Sequence, residues 1–181
     1  MQGAVEQEVT SETERVFFAL WPDKETASQL AAWRDALQQQ TQGRPTHPKD
    51  IHLTLAFLGD TPAADIERAI LAAEKVSVPR LALHIDTPAY WKHNRIVWAG
   101  LQEIPAALNE LVSTLRDALS QEKVNFDAKP FVPHITLVRN GRPFQNAELR
   151  PIDWRVDRFV LARSAQNEGS RYEIVREWTV D

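Results

Sequence analysis

Apolar and polar residues alternate with a period of two in two stretches that share the pattern His-x-Thr-Leu. The first motif is His52–Leu55, and the second motif, His134–Leu137, begins 82 residues later. In each motif the apolar residues occupy one set of alternate positions, and the histidine and threonine occupy the other. This pattern predicts a strand with one apolar and one polar face, so that the histidine and threonine point to the same side. A glycine seven residues past each histidine, Gly59 and Gly141, is expected to end the strand.

The rest of the chain alternates between predicted helices and strands. Apolar residues at helical spacing predict three helices, with stripes at Leu30, Trp33 and Leu37, at Ile66, Ala69, Ile70 and Ala73, and at Leu108, Leu111, Val112, Leu115 and Leu119. Short apolar or alternating runs predict strands at Val16–Trp21, Leu81–Ile85, Ile96–Leu101, Trp154–Ala162 and Tyr172–Trp178.

The residues at two connections between these elements predict how the chain passes from one element to the next. Asp60 and Pro62 are expected as the cap and the first position of the second helix. The segment Tyr90–Asn94 is expected to be the turn that joins Leu81–Ile85 to Ile96–Leu101 in a hairpin. The resulting order of elements is typical of an α+β protein with helices packed outside mostly antiparallel sheets.

One His-x-Thr motif lies in each half of the chain. A single motif could simply be a strand with two polar residues on its solvent-exposed face. Because the motif is repeated, two similar lobes that face each other across a cleft are favoured. We therefore expect one histidine on each wall of that cleft.

Length and composition fit this picture of one bilobal unit. Residues 1–14 are polar and acidic, so we expect a mobile tail there and a single domain over residues 15–181. No apolar run reaches the length of a signal peptide or a membrane span, which predicts a soluble cytoplasmic protein. The net charge is −4, so a site for a polyanion must be a local basic patch. The chain has no cysteine, which excludes disulfides, a thiol nucleophile and cysteine-based metal sites.

Two histidines across a cleft can act as an acid and a base. Imidazole has an unperturbed pKa of about 6.5, so one ring can be neutral while the other is protonated. On opposite sides of a phosphorus atom, the neutral ring can take a proton from an attacking hydroxyl or water while the other protonates the departing oxygen. The threonine hydroxyls and a nearby arginine can hold the equatorial phosphoryl oxygens. This scheme needs no metal.

The two motifs resemble the signature of the 2H phosphoesterases, and the surrounding sequence is similar to the bacterial RNA 2′,3′-cyclic phosphodiesterases, also called 2′-5′ RNA ligases. The similarity runs from about Arg15 to the C-terminus. Besides the motifs it includes Phe17–Leu20, Leu55–Gly59, Arg95–Leu101 and Phe131–Pro133.

This resemblance implies a bilobal fold with pseudo-twofold symmetry, two mostly antiparallel sheets, helices outside them and a central cleft that holds both histidines. It also implies metal-independent opening of a 2′,3′-cyclic phosphate, on an RNA end or a cyclic nucleotide, to a 2′-phosphate, with no cofactor. Reversible 2′-5′ joining would use the same two histidines. Residue types do not decide which histidine is the acid; the resemblance favours His52 as proton donor and His134 as proton acceptor. We expect a monomer.

The resemblance also assigns phosphate contacts to Thr54, Thr136 and Arg139. Strict alternation from His134 would put Arg139 on the opposite face, so its role requires the strand to twist or end near Val138. Surface ion pairing is the alternative for Arg139. The equivalent position in the first motif is Phe57. The resemblance places this residue beside the nucleotide base, where it could stack; the alternative is a phenylalanine packed in the core.

Other histidines and aromatic residues are weaker candidates. We expect His47 and His93 to be solvated in loops, and His84 to lie at a surface or core edge rather than in the cleft. Tyr90, Trp91 and Tyr172 are candidate platforms for base stacking, with packing inside the lobes as the alternative.

Two other classes of protein compete with this interpretation. A metalloenzyme would use His52, His134 and His84 as ligands, but no carboxylate-bearing cluster accompanies them in the sequence. A nucleotide- or RNA-binding module would keep the cleft without turnover, although binding alone needs no titrating pair. Within the enzyme class, another cyclic phosphate such as that of ADP-ribose stays open as substrate.

Overall fold

Three helices and ten strands are present in the described part of the chain, residues 12–167 and 169–179 of a computed structural model. The helices are α1 (Lys24–Thr41), α2 (Ala63–Glu74) and α3 (Ala106–Gln121). The strands are β1 (Thr13–Leu20), β2 (Arg44–Pro45), β3 (Leu53–Pro62), β4 (Leu81–Ile85), β5 (Thr87–Trp91), β6 (Ile96–Gly100), β7 (Ile135–Arg139), β8 (Ile152–Val156), β9 (Arg158–Asn167) and β10 (Ser170–Thr179). A 3₁₀ turn at Pro48–Asp50 precedes β3.

Eight of these strands form one antiparallel sheet in the order β10-β9-β1-β3-β7-β6-β5, with β2 paired to β7. The strands that follow the two histidines, β3 and β7, are neighbours at its centre. They are joined by a single register pair, Leu53 opposite Ile135. The strands β4 and β8 form a separate two-stranded antiparallel sheet. The predicted α+β class with antiparallel sheets is therefore confirmed, but both motifs belong to the same sheet.

Helices α1 and α3 form where the apolar stripes predict them. Asp23 caps α1 by accepting a hydrogen bond from the backbone N–H of Thr26 at 2.9 Å. Leu30 and Leu37 of α1 are fully buried, and α1 packs on β7 and β8. The stripe of α3 is buried along its length, and α3 packs on α2 and β3. The helices thus cover the apolar side of the sheet, which leaves its polar side for the cleft.

The start of α2 differs from the prediction. Strand β3 continues through Asp60 and ends at Pro62, so α2 begins at Ala63 without a side-chain cap. Gly59 does not end the strand either. It lies within β3 opposite Val16 with φ of 72°, next to a register shift between β1 and β3. A glycine fits this position because the left-handed region costs it little.

Two predictions about the strands were wrong: one hairpin has a different partner strand, and one predicted strand is two strands. The hairpin joins β6 to β5, so Tyr90 and Trp91 lie in a strand rather than in a turn, while β4 pairs with β8 instead. The run predicted as one strand over Trp154–Ala162 divides at Asp157 into β8 and β9, which belong to different sheets. A change of sheet leaves no trace in a local apolar pattern, which explains both errors.

The predicted N-terminal tail lies mostly on residues 1–11, outside the described residues. Its last two residues, Thr13 and Glu14, already belong to β1. Glu14 accepts a hydrogen bond from Arg163 of β9 at 3.0 Å. The strand thus begins two residues earlier than the expected boundary.

Candidate active site

The two motif histidines lie directly before the central strands and are held in the same way. The Nδ1 atom of His52 lies 2.6 Å from the backbone oxygen of Asp50, and that of His134 lies 2.8 Å from the backbone oxygen of Val132. A carbonyl oxygen only accepts hydrogen bonds, so Nδ1 must carry the proton in both rings. In its neutral form each histidine therefore offers Nε2 as a free base.

The pairing of the two central strands places each motif histidine beside the threonine of the other motif. Because Leu53 lies opposite Ile135 in an antiparallel pair, His52 lies beside Thr136, and His134 lies beside Thr54. The cavities agree with this register, since His52 and Thr136 line one of them and His134 and Thr54 line another. Each histidine is thus combined with the threonine of the other motif.

A cavity of about 210 Å³ brings all of the predicted site residues together. It is lined by both histidines, both threonines, and the two residues at equivalent positions after them: His52, Thr54, Phe57, His134, Thr136 and Arg139. The structure therefore forms one shared site from the two halves of the chain, as expected for groups that act on a single phosphate.

A β-bulge in β7 explains how Arg139 reaches this cavity. Trp98 of β6 lies opposite Thr136, but the next pair is Val97 with Val138, so Leu137 is an extra residue on β7. Leu137 and Val138 are both fully buried. The alternation is reset after this pair, and Arg139 returns to the side of Thr136. The conflict between strict alternation and the role of Arg139 is thereby resolved.

The same bulge occurs in β3. Ala19 of β1 lies opposite Thr54, and Phe18 lies opposite Ala56, which leaves Leu55 as the extra residue. Leu55 and Ala56 are both buried, and Phe57 returns to the cleft side, where it lines the cavity. Phe57 is therefore the structural equivalent of Arg139. Its ring also lies beneath the Arg15 guanidinium, at 5.3 Å.

Aromatic rings surround both histidines. Trp21 stacks on His52 with 4.9 Å between ring centroids and 8° between planes, and Phe17 and Tyr172 lie at 4.9 Å and 5.3 Å. Trp91 packs against His134 at 4.6 Å. These rings remove water from one side of each imidazole, and the packing limits how far the imidazole can turn.

Burial in these surroundings lowers the pKa of both histidines. It lowers the pKa of His52 to about 4, with the positive charges of Arg139 and His134 acting in the same direction and the carbonyl of Asp50 opposing them. Burial and Arg139 also lower the pKa of His134. Both rings are therefore mostly neutral near pH 7 in the free enzyme. An anionic phosphate beside Arg139 would offset that charge and raise both pKa values.

Asp50 was not predicted from the sequence as a site residue. Its side chain is 3% exposed and accepts hydrogen bonds from Ser170 Oγ at 2.7 Å and from the backbone N–H of Arg171 at 3.0 Å. Its backbone oxygen holds His52. Asp50 thus ties the β9–β10 hairpin to the first histidine, a contact between residues 120 positions apart that no local pattern reveals.

A second, smaller cavity of about 120 Å³ adjoins the first and shares His52, Thr136, Arg139 and Tyr172 with it. Its other lining residues include Arg44, His47 and Arg171. Sequence reasoning did not single out Arg44 or Arg171.

The remaining histidines lie outside the proton-transfer site. His84 is exposed on β4, with Nδ1 at 2.7 Å from Asp153, and the negative charge there raises its pKa. His47 and His93 are exposed in loops, as expected, although each lies at the edge of a cavity next to the site.

Two of the three aromatic residues predicted as stacking platforms lie at the site, and the third does not. Tyr172 and Trp91 lie against the motif histidines. Tyr90 packs against the core, and its hydroxyl donates to the backbone oxygen of Gly141 at 3.3 Å.

Residues 12–167 and 169–179 contain neither a candidate metal site nor a membrane-spanning helix. No group of three histidine, aspartate or glutamate side chains there could hold a metal ion. No helix in the same ranges has the length and apolar character needed to span a membrane.

Comparison with known proteins gives consistent matches over most of the chain. The sequence model of a family described as LigT like phosphoesterase matches residues 20–98 and 100–172. The RNA 2′,3′-cyclic phosphodiesterase of Escherichia coli K12 is 31% identical over 94% of this chain and 98% of its own length. The enzyme of the same name from Geobacillus stearothermophilus is 36% identical over 71% of this chain and 45% of its own length.

Solved structures give the same result. E. coli LigT complexed with 3′-AMP superimposes with a TM-score of 0.81 at 30% identity, covering 93% of this chain and 99% of that one. A protein of Thermus thermophilus has a TM-score of 0.74 at 23% identity over 92% of this chain and 97% of its own, a similarity that shows the fold alone.

Proposed function

The chain belongs to the LigT-like phosphoesterase family, as its two motifs indicated, and from this membership we propose that it hydrolyses RNA 2′,3′-cyclic phosphate ends to 2′-phosphates by a two-histidine mechanism. Its relatives carry the name of this activity, and one of them has been solved with the nucleotide 3′-AMP. The observation that carries the mechanism is the shared cavity, in which both histidines have Nδ1 occupied by a carbonyl and Nε2 free.

In the proposed reaction, His134 Nε2 takes a proton from water as the water oxygen attacks phosphorus. The bond between phosphorus and the 3′-oxygen breaks in line, and His52 gives its Nε2 proton to that oxygen. The product keeps the phosphate on the 2′-oxygen. His134 ends protonated and His52 neutral, so one proton exchange with solvent resets the pair. No metal or cofactor takes part in these steps.

The pKa values bear on the assignment of His52 as the donor. A ring with a pKa near 4 is a strong acid once it is protonated, which favours proton transfer to the 3′-oxygen. The cost is a small protonated fraction near neutrality. Binding of the anionic phosphate reduces that cost because it raises the pKa of His52.

Arg139 and the two threonines are proposed to hold the phosphoryl oxygens. All three side chains line the cavity with both histidines. The planar guanidinium of Arg139 can donate two parallel hydrogen bonds to a phosphate, and its charge opposes the negative charge of the transition state. Phe57, which lines the same cavity as Arg139, is proposed to lie against the nucleotide base, where its flat face can stack.

The same site is proposed to permit 2′-5′ ligation, in which the 5′-hydroxyl of a second RNA attacks the cyclic phosphate in place of water. His134 would then accept the proton of that hydroxyl, and a 2′-5′ linkage would form. Because one chain supplies both histidines, we also propose that the protein acts as a monomer.

Hydrolysis of adenosine 2′,3′-cyclic phosphate, followed by phosphorus NMR in the presence of a chelator, tests this function. The expected product is the 2′-phosphate, formed at the same rate with and without chelator. A 3′-phosphate product would contradict the assigned leaving group, and loss of activity that added metal restores would favour a metalloenzyme. Binding without turnover would favour a binding module.

A further inference from the structure

We propose that Arg44 and Arg171 form a second phosphate subsite, which binds the phosphate on the 5′ side of the reacting nucleotide. This inference rests on the proposed function and extends it, because it makes the internucleotide phosphate of RNA part of what the enzyme recognises. The subsite is the cavity of about 120 Å³ that adjoins the one with both histidines.

Three arginines line this cavity: Arg44 on β2, Arg139 on β7 and Arg171 on β10. None of the three has an ion-pair partner among the described residues. Five arginines elsewhere in the described chain are paired with carboxylates: Arg34, Arg68, Arg158, Arg163 and Arg176. Three arginines that have no carboxylate partner among the described residues thus border the place where the substrate would lie.

Arg44 and Arg139 also lie directly opposite each other in the β2–β7 pair. Residues that face each other across an antiparallel pair point to the same side of the sheet, and like charges in such pairs repel. A bound anion between them removes this repulsion. Arg139 borders both cavities, so one of its faces is available to the reacting phosphate while Arg44 extends the positive charge beyond it.

Arg171 borders the cavity from β10, and its backbone is held by hydrogen bonds. Its N–H group donates to both carboxylate oxygens of Asp50, at 3.2 Å and 3.0 Å. Asp50, the one carboxylate among the described residues that border the cavity, is therefore occupied by hydrogen bonds from Ser170 and Arg171, and it is 3% exposed. Among the described residues that border the cavity, three arginines stand against one carboxylate, so this part of the lining carries a net positive charge.

The position of this cavity identifies the group that would fill it. It borders the reaction site, and in RNA the phosphate nearest to a terminal 2′,3′-cyclic phosphate is the one on the 5′-oxygen of the same ribose. A cyclic mononucleotide with a free 5′-hydroxyl lacks this group. The subsite therefore favours RNA ends over such mononucleotides.

Binding of two probes that differ only in this group tests the inference without turnover. The probes are 3′-AMP and adenosine 3′,5′-bisphosphate, measured by calorimetry with wild-type protein and with Arg44→Gln, Arg171→Gln and Arg155→Gln. Arg155 is an exposed arginine on β8, away from the cleft, and serves as the matched control. All three variants change exposed side chains, and circular dichroism checks that they fold.

The wild type and Arg155→Gln should bind the bisphosphate about tenfold more tightly than 3′-AMP, the effect of one added charge-assisted contact. Arg44→Gln and Arg171→Gln should lose most of this preference. Equal affinity of the wild type for both probes would overturn the inference. So would a preference that survives in both variants, or an equal loss of affinity for both probes. Turnover of adenosine 2′,3′-cyclic phosphate is measured separately, so failure of the proposed function is recognised independently.

Discussion

Each motif histidine is held through one ring nitrogen, and the other is left free. The carbonyls of Asp50 and Val132 fix the tautomer, and Trp21 and Trp91 pack against the rings. Held in this way, the imidazoles need little reorganisation when the substrate binds, which is the advantage of positioned acid–base groups over free ones. The same packing removes water and lowers both pKa values.

These pKa values predict an acidic optimum for kcat/KM. The active form has one ring protonated and the other neutral. Activity therefore falls above the higher pKa, where both rings are neutral, and below the lower pKa, where both are charged. Because the pKa of His52 is about 4 and that of His134 is also lowered, the bell-shaped profile should be centred below about 6.5. Initial rates for a cyclic nucleotide across the acidic and neutral range measure this, and an optimum on the alkaline side of neutrality would contradict it.

Replacing Arg139 should change both the rate and the pH profile. Arg139→Gln removes a bidentate donor from the phosphate and should lower kcat/KM on the order of 100-fold. It also removes a positive charge that lowers the pKa of both histidines, so the optimum should move to higher pH. Arg139→Lys keeps the charge and should leave the optimum near its original pH. A purely structural role for Arg139 would lower the rate without moving the profile.

At the level of single residues, the sequence alone predicted which polar side chains meet in the cavity. The period-two pattern placed His52 with Thr54 and His134 with Thr136, and the cavity contains all four. Trp21 and Asp50 could not be found in the same way. Their roles depend on contacts with His52 and with β10, which only the folded chain creates.

Among the elements, β3 and β7 place the site, and they do so with a shared irregularity. Each has one extra residue directly after the threonine, and this residue is followed by a second buried one. Without the bulge, Phe57 and Arg139 would point into the core. Alternation predicts a regular strand, so counting positions along the sequence puts Arg139 on the wrong face.

The second important feature among the elements is the pair of hydrogen bonds by which Asp50 of the 3₁₀ turn holds the β9–β10 hairpin. Asp50→Asn keeps the size of the side chain but removes its charge, so the hydrogen bonds from Ser170 Oγ and the Arg171 N–H lose their charge assistance. Hydrogen bonds to a charged group are stronger than neutral ones by about 1 kcal/mol each, so the free energy of unfolding should fall by about 1–3 kcal/mol. Amides of β10 should also exchange faster with deuterium.

Asp153→Asn provides the control for this prediction. Asp153 is exposed and pairs with His84 at the surface, so its loss should change the free energy of unfolding by less than about 1 kcal/mol. Equal stability of the two variants would show that Asp50 does not hold the hairpin.

The whole molecule combines two halves of a repeated pattern in one sheet. The halves meet at Leu53 and Ile135, and one core cluster of buried side chains runs through both. The single domain predicted from the sequence stays a prediction, and unfolding tests it. Tryptophan fluorescence and far-ultraviolet circular dichroism should report one coincident transition in urea. Two separate transitions would show that the halves fold independently.

A substitution at the junction of the halves should destabilise the whole molecule. Ile135→Ala creates a cavity at a fully buried position and should lower the free energy of unfolding by about 2–5 kcal/mol. Ile174→Ala on β10 is the matched control, because Ile174 is 38% exposed and its loss should cost far less. Similar losses from both variants would contradict a shared core at the junction.

The most direct test of the central claim is kcat/KM for adenosine 2′,3′-cyclic phosphate in His52→Ala, His134→Ala and the double variant, with His84→Ala as the control. Each single variant should lose at least about 100-fold, and the double variant little more than the worse single one, because the two rings act as a pair. His84→Ala should match the wild type, since His84 lies on the separate β4–β8 sheet. Near-wild-type activity in either His52→Ala or His134→Ala would remove that histidine from the mechanism and contradict the account.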